Sequence, residues 1–127
     1  MKLAFIGFVL GLSTLLQVYI DRRIVIITAS EKNTEFQNYL NWVDRNSMQI
    51  EKRRTAVYTL VDGEITAVLN SSEQTDKFLE RNKKNYTQTS NPKAYLIDLH
   101  GSLLRQYNNV FQLRGLFATI DGSQMRY

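Results

Sequence analysis

Alternating strand and helix patterns predict an α/β domain with a mixed central sheet. Three observations carry this. A continuous run, Arg23-Ile24-Val25-Ile26-Ile27-Thr28-Ala29, is rich in β-branched residues and lacks polar alternation, as in a strand covered on both faces. Two apolar stripes, Phe36-Tyr39-Leu40-Val43 and Leu113-Leu116-Phe117-Ile120, each fall at i, i+3, i+4 and i+7, the spacing of one helix face. Two β-prone stretches flank the turn Asp98-Leu99-His100-Gly101, and so short a turn makes them an antiparallel hairpin.

In chain order, the first strand covers 23–29. Ser30 follows it as the expected N-cap of the Phe36 helix. That helix is expected to stop near Asn46-Ser47. A second strand is predicted over 55–61, and Asp62-Gly63 is a turn dipeptide. Ile65 to Leu69 is again β-prone, either a hairpin partner or an irregular connection. Ser71 with Gln74 fits a capping box for a helix over 72–84. That helix is polar except for Phe78 and Leu79, so it should lie exposed and pack along a narrow edge. Lys83-Lys84 in its last turn complement the helix dipole. After a polar loop, strands are predicted over 94–97 and 102–107, then the final helix.

The order βαβ(β)αββα, with early parallel pairing and a terminal antiparallel hairpin, is the plan of a thioredoxin-like domain. The single proline supports it. Pro92 stands directly before the third core strand, where that fold places a cis-proline facing the end of the first strand, and a cis bond is expected here. Ordinary turn chemistry at a strand start is the alternative.

The chain has no cysteine. Where a thioredoxin carries Cys-x-x-Cys, this sequence reads Ser30-Glu31-Lys32-Asn33. Thiol–disulfide exchange and peroxide reduction both require a protein sulfur, so both are excluded. Disulfides and thiolate metal sites are excluded with them. His100 is the only histidine and sits in a turn without a nucleophile, so no catalytic constellation and no metal-ligand spacing is present.

The 127 residues make one domain behind a leader. Met1-Lys2 precedes the apolar run from Leu3 to Leu12, the layout of a signal peptide. Gly11 and Ser13 are small residues placed for a cut after Ser13. The rival is an uncleaved anchor, because apolar character continues to Ile20. The division is therefore 1–20, signal peptide or membrane anchor, and 21–127, thioredoxin-like domain. Export to the periplasm or the outside is expected, with membrane contact only through residues 3–20 if they are retained. The net charge is +4, of which Lys2 supplies one. The basic runs Arg22-Arg23, Lys52-Arg53-Arg54 and Lys83-Lys84 each flank an element end, without aromatic interleaving, so nucleic acid is not an expected partner. Asn70-Ser71-Ser72 and Asn85-Tyr86-Thr87 match the N-glycosylation acceptor pattern.

Four segments resemble a known family. They are Arg22-Arg23-Ile24-Val25-Ile26-Ile27, Glu51-Lys52-Arg53-Arg54-Thr55-Ala56-Val57, Tyr95-Leu96-Ile97-Asp98-Leu99-His100-Gly101, and the C-terminal Leu116 to Arg126. Their order is similar to that of an exported bacterial domain of unknown function, which also occurs in vertebrate sushi-repeat and extracellular-matrix proteins. The family tends to end Ile-Asp-x-Met-Pro-Met-Arg. Ile120, Asp121, Met125 and Arg126 match, while Ser123 and Gln124 replace the Met-Pro pair. Of the family's Gly-Lys-Asp-Gly turn only Gly101 is kept. The resemblance implies a peroxiredoxin-like fold and export, and no reaction.

The expected function is non-enzymatic binding of a protein or peptide, without cofactor or metal. The candidate binding residues are Ser30, Lys32, Asn33 and Pro92, where a helix start and a proline could hold an extended backbone, with Asp121, Met125 and Arg126 from the family tail. A divergent enzyme using the Ser30–Asn33 helix start with Pro92 and Arg114 is one alternative. A membrane-tethered structural module is another. Trp42, beside the first helical stripe, is expected to close the core edge.

Overall fold

The structure is a computed structural model and describes residues 19–123. Its centre is β1 (Arg23–Ala29). The chain continues through α1 (Thr34–Arg45), α2 (Ser47–Lys52), β2 (Thr55–Val61), β3 (Glu64–Leu69) and α3 (Glu73–Asn82). A 3-10 turn (Lys83–Asn85) leads on to β4 (Lys93–Ile97), β5 (Leu103–Tyr107), α4 (Val110–Leu113) and α5 (Leu116–Asp121).

The five strands form one sheet in the order β3-β2-β1-β4-β5. β1 and β2 run parallel, and every other neighbouring pair is antiparallel. This mixed α/β arrangement is compatible with the thioredoxin-like plan read from the sequence. Both edges are exposed strands, the outer one on each side contributing few buried residues.

All seven residues of β1 are buried. Side chains alternate across a strand, so they divide between two cores. Val25, Ile27 and Ala29 meet Phe36, Tyr39 and Val43 of α1 together with Leu113, Leu116 and Ile120 of the C-terminal helices. Ile24 and Ile26 point the other way, toward Leu79 of α3, Tyr86, Tyr95 and Ile97. The unbroken β-branched run is thus the consequence of helices on both faces.

The C-terminal end of the predicted leader takes part in this second core. Ile20 is only 6 % exposed, and its N–H donates to the Leu99 carbonyl at 2.8 Å. The packed unit therefore includes Ile20. The rest of the predicted leader, residues 1–18, lies outside the described residues.

Several local details differ from the sequence reading. α1 does end at Arg45, but helix resumes at once as α2, which seats Ile50 in the first core. The Asp62-Gly63 turn closes a true hairpin with β3. Both turn residues have positive φ, 50° and 80°, the combination that matches strand twist and favours Gly at the second place. The capping box sits one residue later than expected: Ser72 accepts from the Thr75 N–H, and the Thr75 hydroxyl accepts from the Ser72 N–H. A Ser71–Gln74 box would aim the helix differently, whereas the observed register buries Thr75 and Leu79. The helix predicted over 72–84 ends at Asn82 and tightens into the 3-10 turn that carries the two lysines. The final helix is two short ones separated at Arg114-Gly115, and it still buries Leu113, Leu116 and Ile120. Trp42 closes the core edge as expected, 5.6 Å from the Phe117 ring.

Ile26 lies at 0 % exposure in the central strand. Ile26→Ala should destabilise the fold by about 2–5 kcal/mol in urea denaturation, as for other deep aliphatic truncations. Phe117→Ala, at a partly buried site, should cost clearly less. Equal losses at the two positions would contradict this division of the core.

Candidate functional site

The C-terminal ends of parallel strands are where α/β sheets usually present ligand-binding loops. Here β1 and β2 end beside one another, and three loops meet: Ser30–Asn33, the Asp62-Gly63 turn, and the 86–92 loop before β4. The expected Ser30, Lys32, Asn33 and Pro92 do come together at this end. The first two are exposed, Asn33 is half-buried, and Pro92 is buried.

The arrangement differs from the expected open grip. Ser30 is not the N-cap. The cap is Asn33, whose Oδ1 accepts the Phe36 N–H at 2.9 Å. The three residues between β1 and this cap let the chain leave the sheet before helix begins. Ser30 instead donates its backbone N–H to the Thr89 carbonyl at 2.7 Å. The Asn33 Nδ2 donates to the Ser90 carbonyl at 2.8 Å. The Gly63 N–H donates to the Gln88 side chain at 2.6 Å. The chain's own 88–90 segment thus takes up donors from both neighbouring loops.

Pro92 is trans, since no cis peptide bond occurs among the described residues. Trans is the intrinsically favoured isomer, and the loop's polar groups are satisfied in that form. The Pro92 carbonyl accepts from the Tyr39 hydroxyl at 3.2 Å, with the Tyr107 carbonyl 3.5 Å from the same oxygen. Burial, and to a lesser degree the Glu35 charge, holds the Tyr39 phenol protonated well above the ordinary tyrosine range. Tyr39 therefore ties α1 to the start of β4 and the end of β5 by donating, and it is not a general base near neutral pH.

Asp121 lies elsewhere. It makes a bidentate pair with Arg53, with Nε–Oδ1 and Nη2–Oδ2 both 3.0 Å. The Arg53 guanidinium also lies 4.4 Å from the Phe117 ring centroid and donates to Gln49. This clamp fixes α5 to the α2–β2 connection. Arg23, only 1 % exposed, brings its Nη2 to 3.5 Å from the Ser123 hydroxyl in the same region. Met125 and Arg126 lie outside the described residues. Arg114 stacks 5.4 Å from the exposed Phe111 ring and is remote in sequence from the Ser30 turn it was grouped with. His100 is exposed in the β4–β5 turn. Among the described residues no group of three potential metal-ligating side chains occurs, and no helix is long and apolar enough to cross a membrane.

Sequence reasoning missed a polar network at the start of α3. The Tyr58 hydroxyl lies 2.6 Å from the Thr75 hydroxyl and donates to the Asp76 carboxylate. The Ser72 hydroxyl donates to Asp21 at 2.8 Å, and Arg22 donates to the carbonyl and side chain of Asn70, both at 2.9 Å. Asn70 in turn donates to the Thr55 carbonyl, so its side-chain amide is occupied, whereas Asn85 is exposed. The only sequence signal for this network was the cluster of Ser, Thr and Asp around a helix start, which reads simply as capping.

A family model described as a domain of unknown function, DUF4174, matches residues 14–127. The chain belongs to this family. No curated protein and no solved structure matches the sequence. The matched span of the DUF4174 domain starts before the described residues and includes Ile20, the Ser30 turn, the Arg53–Asp121 clamp and the C-terminal tail.

Two outcomes follow. Asn33→Ala removes a helix cap and the bond to Ser90, and should cost about 1–2 kcal/mol in thermal or urea unfolding, while Ser30→Ala stays near neutral. Burial raises the Tyr86 phenol to about 12, and burial plus the bond to Asp76 raises Tyr58 to about 12. Their folded-state pKa values exceed the unfolded value of about 10. This stability is therefore complete below about pH 10 and lost as pH rises through about 12. Urea midpoints measured from pH 9 to 12 should fall, and Tyr86→Phe should lessen the fall.

Proposed function

We propose that this DUF4174 domain is an exported, non-enzymatic binding module for an extended, acidic protein segment, which adds to the sheet at β5. One observation carries the reading. Among the described residues the β5 edge has no strand on its outer side, and Leu103 and Leu104 on it are 54 % and 38 % exposed. Phe111, in the first turn of the helix after it, is 73 % exposed. Such an edge offers unpaired backbone groups as well as apolar contacts, and strand addition uses both. Arg105 and Arg114 are exposed on the same β5–α4 segment and favour acidic side chains in the partner. The Ser30–Asn33 turn is less suited, because its own loop already accepts the Ser30 N–H and the Asn33 amide.

The non-enzymatic part rests on chemistry. A chain without cysteine cannot form a mixed disulfide or a sulfenic acid. Export is supported by Lys2 followed by the apolar run, and by the resemblance to the exported bacterial domain. A cut after Ser13 would leave Ile20 in the mature chain, where it packs against the sheet.

A single experiment tests the module. Full-length protein is expressed, the exported fraction is collected, its N-terminus is sequenced, and the purified chain is used for capture and assays. The expected result is a processed chain with no insulin-reducing or peroxide-consuming activity. Its captured partner should be lost at least tenfold with Leu103→Asp and retained with Ser30→Lys. Loss with Ser30→Lys alone would return the site to the β1–α1 turn, and turnover in either assay would overturn the non-enzymatic reading.

A further inference from the structure

A groove of about 450 Å³ runs between α3 and the segment entering β1. Gln74, Lys77, Phe78 and Arg81 line it, spaced i, i+3, i+4 and i+7 on α3, hence along one helix face. Across from them stand Tyr19 and Ile20, and Gly101 of the β4–β5 turn closes one end. The apolar part is continuous with the second core: Ile20 is buried, Phe78 is partly buried, and both pack in that cluster. Tyr19 is 56 % exposed, with its ring edge toward His100 at 5.6 Å between centroids.

The charge in this groove has one sign. Lys77 and Arg81 line it, and no carboxylate does. Asp76 and Glu80 border the same two cations along the neighbouring strip of α3, where Asp76 accepts the Tyr58 hydroxyl and Glu80 pairs with Lys83 at 3.6 Å. Lys77 does pair with Glu73 at 3.6 Å, but both side chains are largely exposed, and such a pair is easily exchanged for another anion. The Arg81 side chain makes no ion pair or hydrogen bond among the described residues.

We propose that this groove binds a free amphipathic carboxylate of fatty-acid type, its head group held by Lys77 and Arg81 and its apolar body lying against Ile20 and Phe78. The combination of an apolar floor with two cations one helical turn apart selects for a ligand that is apolar at one end and anionic at the other. The concavity selects a free molecule over a bilayer. The volume falls within the range of about 300–1,000 Å³ typical of small-molecule sites, whereas a membrane surface would meet the cations on a flat or convex face. This site is separate from the β5 edge and does not depend on it.

The test is an amide-resolved NMR titration of the full chain with decanoate, decanol and decyltrimethylammonium, each below its aggregation concentration. Decanoate should bind saturably and shift Tyr19, Ile20 and the α3 amides from Gln74 to Arg81. Decanol and the cationic amphiphile should bind at least tenfold more weakly. The double variant Lys77→Glu, Arg81→Glu changes exposed side chains, and should keep its circular dichroism and melting temperature while losing decanoate affinity at least tenfold. Equal binding of decanol, or binding unaffected by the double variant, would overturn the proposal. Contacts from residues 3–18 to Phe78 in the ligand-free chain would overturn it by showing that the chain fills its own groove. Vesicles of phosphatidylglycerol that bind through Lys77 and Arg81 while decanoate does not would overturn it in favour of a membrane surface.

Discussion

The rest of the structure depends on the burial of β1 on both faces. A strand with all seven residues buried has no solvent-facing side, so it can exist only if helices cover the sheet twice. That requirement places α1, α2 and the C-terminal helices on one face and α3 on the other. It also decides which end of the sheet carries the loops, since the parallel pair β1 and β2 must both be left and re-entered through connections at their ends. The C-terminal helices are short and gain stability from Leu113, Leu116 and Ile120 against this strand rather than from their own length.

At the loop end, the polar groups of the chain are directed to one another. The Ser30 N–H, the Asn33 amide and the Gly63 N–H are all taken up by residues 88–90. This end of the α/β sheet is therefore a loop cluster in which these donors are satisfied from within. The proposed binding is assigned instead to the outer edge of β5 and to the cationic groove beside α3. The β5 edge is peripheral to the sheet centre, whereas the groove shares Ile20 and Phe78 with the second core.

Much of the fold was legible in the sequence, for identifiable reasons. β1 and β2 were read at their observed bounds because their apolar runs are ended sharply by Ser30 and by Asp62-Gly63. The stripes at Phe36 and Leu113 were read because helix periodicity survives even where the helix is broken. Of the candidate site, four residues were correctly brought to one end, yet their roles were not foreseen. Ser30 and Asn33 are both good caps in isolation, and only the path of the chain away from the sheet chooses Asn33. Arg53 and Asp121 are far apart in sequence, and no periodicity links them. The groove was not visible at all, because Tyr19 and Ile20 read as the end of a leader and no local pattern links them to Lys77 and Arg81.

The sequence by itself determined the class of fold, the double covering of β1, the terminal hairpin and the exclusion of thiol chemistry. Each of these follows from residue type and local spacing, which act within a few residues along the chain. Only the tertiary structure decided the cap residue, the trans state of Pro92, the clamp of Arg53 on Asp121, and the meeting of α3 with Tyr19 and Ile20. Those depend on which donors and acceptors distant segments bring within hydrogen-bonding range. That proximity is created by burying the two cores, not by any local preference.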